Sequence, residues 1–186
     1  MTQFLFDSNC FITGYRFYYP YEIFNSLWDK ILDKFNSGSF YITEEVYQEI
    51  NQRADKIFKY LKQIPKNRII SPKLNPQCVS NYFDITDYVY KNYSDKAKIN
   101  DFLKTDAWLI AYALTFNEVV IVTYEKWRNS KSIPVIPLVC ENFNLYVSPA
   151  LRQHYDFDLT LKNKVSLSSY RCITFTEALF LNGIII

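Results

Sequence analysis

Phe4-Leu5-Phe6-Asp7-Ser8-Asn9 is the stretch on which the fold turns. Three large apolar residues run without alternation into an acid and two small polar residues. Such a run suits a strand covered on both faces, as in a parallel sheet. An acid at the exit of that strand lies where open α/β sheets place their ligands, beyond the carboxyl ends of the strands. A lone buried carboxylate is costly unless a cation or donor meets it. Asp7 is therefore the first candidate for a metal site built by acids from distant parts of the chain.

The strongest local signal lies a hundred residues on. Asp106 opens a helical segment in which Trp108, Leu109, Ile110, Ala111, Ala113 and Leu114 are apolar nearly all round, so that the helix is expected to be buried on several sides. Thr105 is its expected cap. Asn117-Glu118 turns directly into Val119-Val120-Ile121-Val122-Thr123, a β-branched run that reads as a central parallel strand. Glu125 stands just past its end, as Asp7 stands past the first strand.

Between these two units, Phe40-Tyr41-Ile42 reads as a strand and Arg68-Ile69-Ile70 as a weaker one. Ser26 is the expected cap of a helix carrying Leu27, Trp28, Ile31, Leu32 and Phe35, and Gly38 its end. Thr43 with Glu44 and Glu45 reads as the start of a further helix, which carries Glu49. Residues 54–63 form a basic amphipathic segment ended by Pro65, and a helix is expected between Gln77 and Tyr93. Residues 94–100 read as a polar connection, and Leu145-Tyr146-Val147 as the last strand. Tyr15-Arg16-Phe17-Tyr18-Tyr19-Pro20-Tyr21 is an aromatic loop, packed by its own rings or offering a platform for unpaired bases. Strands alternating with helices indicate βαβ units and a mostly parallel sheet. This predicts a three-layer α/β/α domain over residues 1–154, with 155–186 as a C-terminal extension of unknown role.

The composition suits that architecture. The 186 residues are 49% hydrophobic and 22% charged, with a net charge of +2 that makes no case for broad nucleic-acid binding. Four scattered cysteines form no CxxC pair, which argues for reduced thiols and against a zinc ribbon. No basic-then-apolar leader is apparent, and no stretch reaches the roughly 18 apolar residues of a membrane span. A cytoplasmic protein without membrane contact is expected.

Taken together, Asp7 and Glu125 follow apolar strands, Asp106 heads the helix before the second of them, and Glu49 follows the second strand. Glu45, one turn earlier, is a rival for that place. Carboxylate oxygens of this kind suit Mg²⁺ or Mn²⁺, and with His154 the sole histidine, zinc is disfavoured. A metal so held generates hydroxide and stabilises phosphoryl transfer. Each acid also has a plainer use, at a helix dipole, in a turn or on a solvated face.

Phe6-Asp7-Ser8-Asn9, Glu45-Val46-Tyr47-Gln48-Glu49-Ile50, Asp106-Ala107-Trp108-Leu109-Ile110-Ala111 and Val122-Thr123-Tyr124-Glu125 resemble, in order, the four motifs of PIN-domain nucleases. The likeness covers roughly residues 3–153 and is nearest to a bacterial branch of toxin-type PIN proteins. The resemblance implies about five parallel strands between helices and a Mg²⁺- or Mn²⁺-dependent endoribonuclease. It further implies an RNA substrate, the role of toxin beside an antitoxin protein, and a homodimer. Carried over, the metal and catalytic acids are Asp7, Glu49, Asp106 and Glu125, with Asn9 and Thr123 orienting them through hydrogen bonds. The fourth acid is usually an aspartate, so Glu125 departs from the pattern by one methylene. A non-catalytic binding module of the same fold and a structure-specific DNA nuclease are the alternatives.

Overall fold

Five strands pair in one sheet: β1 Gln3–Phe6, β2 Phe40–Thr43, β3 Ile69–Ile70, β4 Val119–Thr123 and β5 Cys172–Thr174. The computed structural model describes residues 2–52, 56–152 and 169–184. All pairings are parallel, in the order β3-β2-β1-β4-β5. The chain therefore leaves β1 toward one edge and returns to lay β4 on its other side. That reversal makes the β1–β4 boundary the switch point, where the crevice of an open parallel sheet forms. The register sets Leu5 against Ile121 and Phe6 against Val122, so Asp7 and Thr123 come next along the same seam.

Helices cover both faces, giving the expected α/β/α layering. They are α1 Ser8–Thr13, α2 Tyr21–Ser37, α3 Glu44–Asn51, α4 Lys56–Leu61, α5 Pro76–Asn92, α6 Lys96–Lys104, α7 Asp106–Thr115, α8 Ile136–Asn142 and α9 Phe175–Leu181. All five residues of β4 are buried, as a strand covered on both faces requires. Phe6 packs its ring against Phe40 at 4.6 Å and also meets Phe11, Phe35 and Phe175. All four cysteines are buried free thiols. Among the described residues no helix is long and apolar enough to cross a membrane.

Local chemistry explains most boundaries. The Thr43 hydroxyl accepts the Val46 N–H and caps α3, and Asn75 accepts from Gln77 and Cys78 to cap α5. Gly38 ends α2 in the left-handed region at φ 86°, directly beneath the Arg68 guanidinium. Arg68 there donates to the Phe35 carbonyl and to the Tyr41 hydroxyl. A Cβ at position 38 would stand 2.8 Å from Arg68 Nη2, on a backbone that L side chains rarely adopt. Gly38→Ala should therefore cost about 1 kcal/mol or more, read as a lower urea midpoint.

Several expectations need correction. Leu145-Tyr146-Val147 is no strand of the sheet; it meets β5 through an isolated bridge between Val147 and Cys172, where the Tyr146 carbonyl accepts the Cys172 N–H. The fifth strand is Cys172–Thr174, which lies within residues 155–186, the expected C-terminal extension. Arg171 anchors it by donating to the carbonyls of Val119, Ala113 and Phe116. The polar stretch 94–100 is not a plain connection, because Asp95 accepts the Lys98 N–H and starts α6. Ser26 does not cap α2, which begins at Tyr21 and bends at Phe24. Thr105 precedes α7 without a side-chain capping bond. Of the basic segment 54–63, residues 54 and 55 lie outside the described residues. The aromatic loop winds into a π-helical turn over Gly14–Tyr18. Tyr15 there packs on Tyr21 and Trp28, Tyr18 stacks on Tyr124, and Phe17 faces outward.

Candidate functional site

The carboxyl end of β1 and that of β4 hold each other through side chains. Asp7 is fully buried, and its backbone N–H donates to the Val122 carbonyl across the seam. Its carboxylate accepts the Thr123 hydroxyl at 2.9 Å and the Ser8 hydroxyl at 3.3 Å. The Thr123 oxygen in turn accepts the Glu125 backbone N–H at 2.9 Å. One hydroxyl at the end of a central strand thus orients one acid and fixes the backbone of another. Glu125 is anchored a second time, because its Oε2 accepts the Ile136 N–H at the start of α8 at 2.7 Å.

Burial strains this arrangement electrostatically. It pushes the Asp7 carboxyl from 3.8 up to about 6, against the Thr123 hydrogen bond and with the help of the Glu49 charge. Glu125 rises from 4.5 to about 7, through burial first and the Asp7 charge second, while the Ile136 N–H pulls it down. Asp106, the first residue of α7, is held well above the usual carboxylate range by burial and by Glu125, Asp7 and Glu49 in that order. The four acids therefore form one interacting group, brought together from four separate segments.

Their side chains frame a cavity of about 520 Å³. Glu49, Asp106 and Glu125 line it together with Asn9, whose backbone N–H also donates to the Asp7 carboxylate. Asp7 is not part of the wall; it lies recessed beside Ser8 and acts on the cavity through its charge. Glu45 does not line this cavity but pairs with Lys73 at 3.0 Å, so Glu49 holds the place for which both were candidates. Lys98, Lys104 and Arg128 stand on the same wall, and the Arg128 charge draws the Glu125 pKa down. Sequence reasoning missed these cations. Two lie on α6, in or just after a stretch read as a connection, and no spacing signal marks Arg128.

The donor set suits a hard divalent cation: carboxylate oxygens alone, crowded enough that each raises the others' affinity for a positive charge. Among the described residues, no three His, Cys, Asp or Glu side chains are already arranged around a metal position. Glu49, Asp106 and Glu125 would hold such a cation, with Glu125 tethered to α8 through the Ile136 N–H. A cation that neutralises the cavity would lower the raised pKa values of Asp7, Asp106 and Glu125 together.

No curated protein and no solved structure matches the chain. Residues 4–159 match the family model described as Domain of unknown function (DUF4411), and the chain belongs to that family.

Proposed function

We propose that the protein is a Mg²⁺- or Mn²⁺-dependent endoribonuclease. The observation that carries this reading is the convergence of Glu49, Asp106 and Glu125 on one cavity at the sheet's switch point, with Asp7 buried beside it and the Glu49 charge acting on the other three acids. The sheet order and the four-motif resemblance to PIN-domain nucleases support it. A divalent ion held by these acids would supply a water of lowered pKa and would offset charge on the scissile phosphate.

The chain's own groups do the rest. Thr123 holds the Asp7 carboxylate in one orientation, which fixes the negative potential that it sets up beside the cavity. The Ile136 N–H keeps Glu125 turned toward α8. Lys98, Lys104 and Arg128 give the otherwise acidic cavity a basic wall to attract a phosphodiester. The roles of toxin, antitoxin-bound complex and homodimer belong to this proposal through the resemblance.

The recessed position of Asp7 favours the second reading, a non-catalytic RNA- or protein-binding module. The two separate on a mixed cellular RNA pool incubated with Mn²⁺ or with chelator, beside duplex RNA and flapped DNA. Fragments from single-stranded RNA in the Mn²⁺ arm alone are expected. Cleavage confined to flapped DNA would make it a DNA nuclease. A folded protein that neither cuts nor binds Mn²⁺ by calorimetry would leave the binding module.

A further inference from the structure

Beside the acidic cavity lies a second one of about 600 Å³, within the range of about 300–1,000 Å³ typical of small-molecule sites. The two share Glu49, Gln52, Lys104 and Thr105, so they form one groove. Its walls are Glu45, Gln48, Lys73, Tyr82, Tyr90 and Trp108. Tyr82 and Trp108 stack on each other plane to plane at 3.9 Å and 9°, a rigid aromatic pair in the wall. Lys73 Nζ lies 5.4 Å from the Trp108 ring centre.

Glu45 is the unusual member. Its side chain is only 6% exposed, and Oε1 meets Lys73 Nζ at 3.0 Å. Oε2 is buried and has no hydrogen-bond partner among the described residues. A buried carboxylate oxygen without a donor is costly, which points to a ligand that supplies one. The terminal torsion of the glutamate is soft, so a ligand that supplies donors to both oxygens turns the carboxylate edge toward the cavity.

We propose that this cavity is a guanine-binding subsite that selects the base beside the cleaved phosphate; it rests on the nuclease reading of the neighbouring acids. Lys73 and Glu45 together present a donor followed by two acceptors. The Watson–Crick edge of guanine presents the complement: the O6 acceptor, then the N1–H and N2–H donors. Adenine places a single donor on that edge, and uracil a donor between two acceptors. Cytosine has one donor, at N4, for the carboxylate. Only guanine satisfies Lys73 and both Glu45 oxygens at once. Gln48 on the same helix and Gln52 just past its end lead toward the shared part of the groove, where sugar and phosphate would pass to the acidic cavity.

The test is nucleotide binding in chelator, where no cleavage occurs, by calorimetry with the 5′-monophosphates of guanosine, inosine, adenosine, cytidine and uridine. Guanosine monophosphate should bind about tenfold or more tighter than inosine monophosphate, which lacks the 2-amino group, and tighter still than the others. Glu45→Gln should abolish that preference. Lys73→Met, at a side chain 57% exposed, should weaken guanosine and inosine monophosphates alike, since both carry O6. This variant and the guanosine–inosine comparison carry the test if Glu45→Gln does not fold. Equal or absent binding of the five nucleotides overturns the subsite, and Mn²⁺-dependent cuts without base bias would then leave the nuclease reading standing alone. Guanine selectivity in a protein that never cuts RNA would retain the subsite and remove the nuclease.

Discussion

Asp7→Asn should slow metal-dependent RNA cleavage by roughly 100-fold or more, yet the metal-free variant should melt above the wild type at about pH 8. The two effects have one cause. Burial raises Asp7 from 3.8 to about 6 and Glu125 from 4.5 to about 7, so the folded protein resists ionising both. A carboxyl whose folded pKa exceeds its unfolded value costs nothing below the unfolded value. The cost grows as pH climbs through the interval and is complete above the folded pKa. For Asp7 that interval runs from 3.8 to about 6, and for Glu125 from 4.5 to about 7.

The stability difference between variant and wild type should therefore vanish near about pH 4 and reach on the order of 2 kcal/mol, about 5 °C, above pH 7. Asparagine fits the space, because the Thr123 and Ser8 hydroxyls each accept as readily as they donate. Added Mn²⁺ should raise the melting temperature of the wild type more than that of the variant. A variant that melts lower at every pH would make Asp7 a structural acid, and one that cleaves like the wild type would remove it from the site.

Phe175→Ala should cost about 3–5 kcal/mol, measured as a fall in the urea midpoint. The ring is fully buried at the head of α9 and meets Phe6, Tyr19, Trp28 and Tyr124. It ties the chain after residue 168 to the first strand and to the residue just before Glu125. Such a loss would mean that the last segment completes the domain's core. A change below about 1 kcal/mol would mean that it is an appendage laid on a domain already complete.

That segment marks one limit of what could be read from residues alone. Cys172-Ile173-Thr174 is too short for a period to register, and its partners Ile121 to Thr123 lie about fifty residues earlier. The apolar triplet Leu145-Tyr146-Val147 looked more like a strand, yet it forms only a bridge because Arg171 directs the later segment alongside β4. Glu45 and Glu49 mark a second limit. They lie one helical turn apart on the same side of α3, which no pattern separates. Their places along the helix axis put one beside Lys73 and the other among the acids.

The sequence by itself determined the elements whose chemistry is local. The unbroken apolar runs before Asp7 and Glu125 dictate buried parallel strands, because only a doubly covered strand tolerates such runs. Thr43 and Gly38 dictate helix ends through their own hydrogen bonds and backbone freedom. The acids at strand exits followed directly, since parallel strands all end on one edge. The tertiary structure alone decided which strand closes the sheet, how deeply Asp7 is recessed, and which cations share the acids' cavity. Those outcomes depend on contacts between residues far apart in the chain, whose energies leave no period in the order of the residues.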